Sequence, residues 1–166
     1  MSIYTVALFG HRSLSDLKRL EESLVPIIKK LIQKESYILF LIGRNGEFDE
    51  YVASIIKSLQ RECGHDNSEL TLVLPYTVAN IPYYQAYYDS ILIPPCVEGA
   101  HPKAAITKKN RWMVEQADLV IVYVEKELGG AYSALRYAEK LSKAVINLAQ
   151  HSEKSHMEDP GFFSVS

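Results

Sequence analysis

The stretch over residues 119–147 constrains the fold more than any other part of the chain. An apolar run, Leu119–Val124, is followed by Gly129 and Gly130, then by a helical pattern, and then by a second apolar run over 144–147. A strand, a glycine turn, a helix and a second strand within about 30 residues have the length of one right-handed βαβ unit. The sequence therefore predicts a parallel sheet covered by helices.

The same alternation of apolar strands and amphipathic helices continues along most of the chain, which predicts an α/β fold with a mostly parallel sheet. The predicted strands span 3–9, 37–42, 70–74, 90–93, 119–124 and 144–148, and the predicted helices span 14–34, 49–63, 105–116 and 131–141. A chain of 166 residues is long enough to bury a core in one domain. We expect a single domain over residues 1–149 and a polar tail over 150–166.

Some local features are predicted less uniquely. Ser13 or Ser15 is expected to cap the first helix, Pro26 to kink it, and Asp49 to cap the second helix. The segment 76–88 contains five of the 11 tyrosines and is assigned to neither helix nor strand. We expect it to form a ligand wall or an amphipathic surface that buries an apolar patch between copies in a homo-oligomer.

Composition indicates which classes of partner and which cellular compartment the chain favours. The chain has 18 Lys and Arg against 20 Asp and Glu, and its tyrosine-rich segment contains no Lys or Arg, so the sequence disfavours nucleic acid as a partner. It contains no apolar run long enough to cross a membrane and no signal-peptide pattern at its N-terminus. Cys63 and Cys96 are expected to be reduced thiols of a cytoplasmic protein. The histidines and cysteines lack metal-ligand spacing, so no metal and no cofactor are predicted.

Three polar or glycine-rich turns follow the first, second and fifth predicted strands: Gly10–Arg12, Gly43–Asp49 and Gly129–Gly130. The carboxyl ends of parallel strands meet at one edge of the sheet, and ligands bind there at the switch in strand order. We therefore expect a ligand site at this edge. The candidate ligand-binding residues are Gly10, His11, Arg12, Gly43, Arg44, Asn45, Gly46, Asp49, Asn110, Arg111, Gly129, Gly130 and Ala131.

Two kinds of group at this edge suit a phosphate. The backbone N–H groups of Gly129–Ala131 lie at a predicted helix start, which favours an anion, although a glycine pair also suits a plain connection. The guanidinium of Arg12 can hold a phosphate through two N–H groups. Arg111 is expected either over the binding edge or on the surface as an ordinary charge.

Three further side chains are candidate catalytic groups. His11 could act as a general acid or base, or it could cap nearby backbone. A carboxylate from Glu47 or Asp49 could bind a ribose hydroxyl together with Asn45, or serve as an acid or base if its pKa is raised. A helix cap is an equally weighted role for Asp49, and Arg44 could be a solvated charge only.

Taken in order, these blocks resemble the small stand-alone bacterial proteins of the SLOG superfamily. The matching blocks are Gly10–Arg12, Gly43–Asp49, Asn110–Val114 and Gly129–Ala131 followed by Tyr137-Ala138. This Rossmann-like group includes DprA and the "Lonely guy" phosphoribohydrolases, and the resemblance spans about residues 3–148. It implies a Rossmann-like three-layer sandwich that binds a nucleotide or a nucleotide-derived ligand at the strand ends.

The chain departs from the pattern of the enzymatic members of that superfamily. Those members carry a PGGxGTxxE motif whose glutamate serves catalysis. Gly129 and Gly130 match its glycine pair, but Tyr132 replaces the third glycine, Ser133 replaces the threonine and Arg136 occupies the glutamate position. A cation cannot replace a carboxylate as a base, so the phosphoribohydrolase activity does not carry over by that route.

Two functions follow as expectations. The first is a module that senses or sequesters a nucleotide-like small molecule. The alternative is a hydrolase of an N-glycosidic bond in a nucleoside monophosphate, for which the candidate catalytic residues are Asp49, Glu47 and His11. Whether the chain is an enzyme is left open by its sequence.

Overall fold

The computed structural model describes residues 2–151 and places a six-stranded parallel sheet at the centre of the protein. The strands are β1 (Tyr4–Gly10), β2 (Ile38–Ile42), β3 (Ser68–Val73), β4 (Ser90–Leu92), β5 (Leu119–Tyr123) and β6 (Ala144–Asn147). The helices are α1 (Leu17–Lys34), α2 (Glu47–Cys63), α3 (Ile81–Tyr87), α4 (Pro102–Gln116), α5 (Gly129–Lys140) and α6 (Leu148–His151), with a 3₁₀ turn at Pro95–Val97.

The two faces of the sheet carry separate apolar cores. On one face, helices α1 and α2 pack through large side chains such as Leu24, Ile28 and Phe48. On the other face, α4 contributes Met113 and Val114, and α5 packs through small alanines, which let its backbone approach the strands closely. The layers are therefore helix, sheet and helix, which confirms the predicted α/β sandwich.

The strand order reverses next to β1. The sheet order is β4-β3-β2-β1-β5-β6, so the chain builds outward from β1 to β4 on one side and then adds β5 and β6 on the other. Phe9 and Gly10 of β1 lie in register with Val122 and Tyr123 of β5. A crevice opens at the carboxyl ends of such a pair, because the connections that leave the two strands go to opposite faces.

The start of the first helix differs from the prediction. Helix α1 begins at Leu17, and the Oδ1 of Asp16 accepts a hydrogen bond of 3.0 Å from the backbone N of Arg19. Asp16 is therefore the cap, and Ser13 and Ser15 belong to the loop that precedes it. A carboxylate suits this position because it also interacts favourably with the helix dipole.

The second helix also begins earlier than predicted. Helix α2 starts at Glu47, directly after Gly46, so Asp49 is its third residue and not its cap. The Asp49 carboxylate instead reaches back to the backbone N of Asn45, at 2.8 Å. The prediction placed the helix start too late because the acidic first turn looks like a loop in the sequence.

The end of the first helix agrees with the prediction, because α1 continues across Pro26 to Lys34. Two other segments differ from it. The tyrosine-rich segment contains the short helix α3, and α4 begins at Pro102, three residues before the predicted start. Proline at the first turn of a helix loses no intrahelical hydrogen bond, which explains that earlier start.

Beyond β6, the described chain ends in the short helix α6, which includes Gln150 and His151 of the predicted tail. Residues 152–166 of that tail lie outside the described residues, so the domain boundary stays a prediction. Cys63 and Cys96 are free and exposed. Among the helices of residues 2–151, none is both long enough and apolar enough to span a membrane.

Candidate functional site

A cavity of about 850 Å³ opens at the carboxyl ends of β1, β2 and β5, where the strand order reverses. It brings together all of the predicted ligand-binding residues except Arg44, Gly46 and Arg111. Its lining residues are Leu8, Phe9, Gly10, His11, Arg12, Ser13, Leu14, Ser15, Gly43, Asn45, Asp49, Ile106, Lys109, Asn110, Glu125, Lys126, Leu128, Gly129, Gly130 and Ala131.

The loop after β1 is held in place by its neighbours on both sides. The Nε2 atom of His11 accepts hydrogen bonds from the backbone N of Glu125 (3.0 Å) and of Lys126 (3.2 Å). An imidazole nitrogen that accepts two N–H groups carries no proton of its own. His11 therefore ties the loop after β1 to the loop after β5 through its Nε2 atom.

The start of α2 closes the other side of the same loop. The backbone N of Glu47 donates to the carbonyl oxygen of Arg12 at 2.8 Å, and its carboxylate accepts from the backbone N of Leu14 at 3.1 Å. A Cβ added to Gly46 would lie 2.5 Å from the Cα of Arg12, so only glycine allows this approach. Glu47 and Gly46 thus shape the loop that carries Arg12.

Gly10 lines the cavity, and its lack of a side chain is also required by packing. A Cβ at this position would clash with the ring of Phe48, a fully buried residue in the first turn of α2. The glycine therefore lets α2 pack directly on the end of β1. Packing explains this glycine without any contact to a ligand.

Lys109 and Asp49 meet at the floor of the cavity beside Gly43. A Cβ added to Gly43 would lie 3.0 Å from the Nζ of Lys109 and 3.2 Å from the Oδ2 of Asp49. Burial raises the pKa of the Asp49 carboxyl, while the hydrogen bond from Asn45 and the charge of Lys109 oppose that rise. Burial lowers the pKa of the Lys109 ammonium, which Asp49 opposes. The floor thus presents a desolvated carboxyl and a desolvated amine, each of which favours the charged form of the other.

The start of α5 forms the third wall. Leu128 is the N-cap residue, no side chain caps the helix, and its first turn contains no acidic residue. Gly129 has a φ of 89°, in the left-handed region that favours glycine. The Nδ2 of Asn110 lies 3.4 Å from the position a Cβ of Gly130 would take. The free N–H groups of this helix start therefore face the cavity beside an amide side chain.

Three arginines that the sequence analysis placed near the site do not line the cavity. The guanidinium of Arg44 stacks over the ring of Tyr84, 5.7 Å from its centroid, and that of Arg111 lies 5.0 Å from the centroid of Tyr137. The exposed Arg136 pairs with Glu139 on α5, with 3.6 Å between Nε and Oε1. The position that holds a glutamate in the enzymatic SLOG members therefore does not line this cavity.

Sequence reasoning missed Lys109, although the sequence contains a signal for it. Only 3% of Lys109 is exposed, and it lies on α4 between the buried Ala105 and Met113 at spacings of four residues. Residues four apart share one face of a helix. A lysine on the inward stripe of an amphipathic helix is rarely buried, and this one is buried because it lines the cavity.

Comparison with known proteins gives a match in structure only. No family model matches the chain, and no curated protein sequence matches it. The X-ray structure of DNA processing protein A (DprA) from Streptococcus pneumoniae superposes with a TM-score of 0.62 at 19% identity, covering 86% of this chain and 49% of that one. A structure that describes the unique single-stranded DNA binding mode of DprA from Helicobacter pylori gives 0.60 at 16% identity, covering 86% and 63%.

These matches confirm the fold that the sequence resemblance implied. The chain spans about half of the first DprA and under two thirds of the second. The prediction that nucleic acid is disfavoured as a partner is contradicted, because the Helicobacter pylori protein with this fold binds single-stranded DNA. That prediction relied on the net charge of the whole chain and on the absence of Lys and Arg from the tyrosine-rich segment. The fold brings Arg12, Lys109 and Lys126 to one cavity, where Asp49 and Glu125 also lie.

Proposed function

We propose that this chain, a DprA-like protein of the SLOG superfamily by its fold, binds the phosphate of a nucleotide or nucleotide-derived ligand in the cavity beside β1 and β5. The ligand is either free or one unit of a longer strand. The observation that carries the proposal is the uncapped start of α5 in the same cavity as the buried ammonium of Lys109.

The start of α5 supplies the first half of the anion site. Backbone N–H groups of the first helical turn have no intrahelical partners, and the helix dipole adds partial positive charge at the same end. Because neither a capping side chain nor an acidic residue of the first turn occupies this end, an external anion can. We assign the phosphate to the N–H groups of Gly129, Gly130 and Ala131.

Lys109 supplies the second half. Within residues 2–151 its Nζ makes no hydrogen bond and no ion pair, although the side chain is almost fully buried. The neighbouring Asp49 carboxylate offsets part of the cost of burying this amine, and an anion in the cavity beside it would offset more. Arg12, exposed at the rim, provides a further cation that can hold a phosphate through two N–H groups.

The α2 side of the cavity suits the sugar. The side chain of Asn45 is exposed beside Asp49, and amide and carboxylate oxygens both accept hydrogen bonds from hydroxyl groups. Apolar side chains on the opposite wall, Ile106 and Leu128, suit the flat face of a base. The cavity volume of about 850 Å³ lies in the range of small-molecule sites.

A panel of ligands tests the proposal. The folded chain is mixed with nucleoside monophosphates, cyclic nucleotides, ADP-ribose derivatives and a short single-stranded oligonucleotide, and its melting temperature is measured. A ligand at 100 times its dissociation constant adds about 2.7 kcal/mol, which is a readable shift. Stabilisation that is lost in Arg12→Gln supports the site, and the absence of stabilisation by every nucleotide contradicts it.

A second function is favoured by one observation only. Burial raises the pKa of the Asp49 carboxyl, which is the direction that a catalytic acid or base requires. In the hydrolase reading it would activate the water that attacks the sugar of a nucleoside monophosphate. Release of free base that disappears in Asp49→Asn would establish this activity, whereas stabilisation without base release favours binding alone.

A further inference from the structure

Gly43 leaves a space between an amine and a carboxyl at the floor of the cavity. A Cβ at this position would lie 3.0 Å from the Nζ of Lys109 and 3.2 Å from the Oδ2 of Asp49. The two groups therefore approach one point, from α4 and from α2. Among residues 2–151 they form no ion pair and no hydrogen bond with each other. All three residues line the cavity, so a group from a ligand can be flanked by both.

Both side chains are held in place by the protein. The Oδ2 of Asp49 accepts a hydrogen bond of 2.8 Å from the backbone N of Asn45, and the residue is partly exposed. Lys109 is buried on α4 between Ala105 and Met113, and close packing limits the rotamers of its side chain. The amine and the carboxyl thus have fixed positions before a ligand binds.

Burial favours the uncharged form of each group. It lowers the pKa of the Lys109 ammonium, although the charge of Asp49 opposes this. It raises the pKa of the Asp49 carboxyl, against the hydrogen bond from Asn45 and the charge of Lys109. A neutral amine is the form that attacks a carbonyl carbon, and a carboxylic acid can protonate the carbonyl oxygen. The ammonium form remains the one that attracts a phosphate.

The amine lies close to the proposed phosphate position. Asn110 follows Lys109 directly on α4, and its Nδ2 lies 3.4 Å from the position that a Cβ of Gly130 would take. The start of α5 and the amine therefore face the same cavity from adjoining walls. A small molecule with a phosphate at one end and a carbonyl group at the other can reach both.

We propose that Lys109 forms a reversible imine with the aldehyde of a phosphorylated aldose whose phosphate lies at the start of α5. The Nζ lone pair attacks the carbonyl carbon, and the oxygen takes a proton from the Asp49 carboxyl. The nitrogen returns one proton to that carboxylate, which passes it to the new hydroxyl group. The C–O bond then breaks, water leaves, and the protonated imine remains beside the Asp49 carboxylate. This inference rests on the proposed function for the position of the phosphate.

The test traps the imine by reduction on the wild-type chain. The protein is incubated with sodium cyanoborohydride and either glyceraldehyde 3-phosphate or glyceraldehyde, which differ only in the phosphate, and labelled lysines are identified by peptide mass spectrometry. We expect the phosphorylated aldehyde to label the buried Lys109 before the exposed Lys108 and Lys126, with a mass gain of one aldehyde less one oxygen atom. Asp49→Asn should slow this labelling about 100- to 10,000-fold through loss of the proton donor.

Lys109→Arg separates the covalent role from the electrostatic one. Arginine keeps a cation at this position and has no amine that forms this imine. The variant should therefore still bind a nucleoside monophosphate, measured by calorimetry, while the intact protein shows no rapid gain of mass from glyceraldehyde 3-phosphate.

The remaining outcomes distinguish the two proposals. If exposed lysines are labelled and Lys109 is not, the inference is wrong, while stabilisation by a nucleoside monophosphate still supports the proposed function. If both aldehydes label Lys109 at the same rate, the phosphate contact on which both proposals rest is contradicted. Labelling of folded Asp49→Asn at the wild-type rate would overturn the proton transfer.

Discussion

Two helices begin at the same edge of the sheet, one turn after a strand, and their starts differ in chemistry. Helix α2 starts with Glu47, Asp49 and Glu50 in its first turn, and its first N–H group bonds to the carbonyl of Arg12. Helix α5 starts with Gly129 and has neither an acidic residue in its first turn nor a capping side chain.

We infer that the start of α2 has a structural role and the start of α5 a ligand-binding role, although the two share the same local geometry. The acidic residues of α2 satisfy the positive end of that helix from within the chain. Helix α5 leaves its positive end open toward a cavity that also contains Lys109. Both starts have glycines, so the glycines themselves do not identify the ligand site, and the charges around them do.

The largest expected effect is a loss of nucleotide affinity when the charge of Lys109 is removed. Lys109→Met keeps the length of the side chain and removes its charge, so nucleotide affinity should fall about 10- to 150-fold through loss of a charged hydrogen bond. Calorimetric titration with a nucleoside monophosphate measures it. The matched control is Lys108→Met, which changes the adjacent exposed lysine and should bind as the wild type does. Equal affinities of the two variants would remove Lys109 from the site.

The next effect contrasts glycines at the two helix starts. Gly46→Ala places a Cβ 2.5 Å from the Cα of Arg12, which should lower the free energy of unfolding by about 1–3 kcal/mol. Gly130→Ala meets only the Asn110 Nδ2 at 3.4 Å, so the fold should be retained with stability changed by about 1 kcal/mol or less. Urea denaturation measures both. If Gly130→Ala is the more damaging change, the start of α5 is close-packed and not open.

A smaller effect tests the acidic start of α2. Glu47→Ala removes a dipole contact and the hydrogen bond to the backbone of Leu14, so the free energy of unfolding should fall by about 1 kcal/mol. Glu50→Ala, in the same turn, has no contact with that loop among those described and should cost less. If urea denaturation shows the same loss in free energy of unfolding for both variants, the charge of Glu47 stabilises the protein and its contact with the loop does not.

The smallest effect is a pH dependence. Because the pKa of Asp49 in the folded protein lies above its ordinary value of 3.8, the folded state holds this proton more tightly than the unfolded state. The contribution of Asp49 to the free energy of unfolding should therefore fall as the pH rises from about 3.8 through the folded pKa. Asp49→Asn cannot titrate, so the stability of the wild type relative to this variant should fall over that range. Parallel curves for the two proteins, measured by urea denaturation at several pH values, would contradict the raised pKa.

The sequence was sufficient to predict the layers, the parallel sheet and the edge where the loops meet. Those features depend on apolar runs and on the spacing of turns, and both are local in the chain. It was also sufficient to find the α5 glycines, because they lie inside one βαβ unit. The structure confirms the fold, and the ligand itself remains a prediction.

The sequence was insufficient where contacts join distant segments. The Nε2 atom of His11 bonds to the loop after β5, more than 100 residues away. Arg44 lies over the ring of Tyr84 and Lys57 over that of Tyr87, although each cation is far from its ring in sequence. Pairings of this kind depend on the tertiary fold, so composition alone led to the wrong conclusion about nucleic acid.

The most direct measurement is an NMR titration of the ¹⁵N-labelled chain with a nucleoside monophosphate, following the backbone amides of both helix starts. We expect the amides of Gly129, Gly130 and Ala131 to shift and saturate together, while those of Gly46 and Glu47 move little. If the α2 amides respond and the α5 amides do not, or if neither group shifts at millimolar ligand, the open start of α5 is not an anion site and the proposed function is wrong.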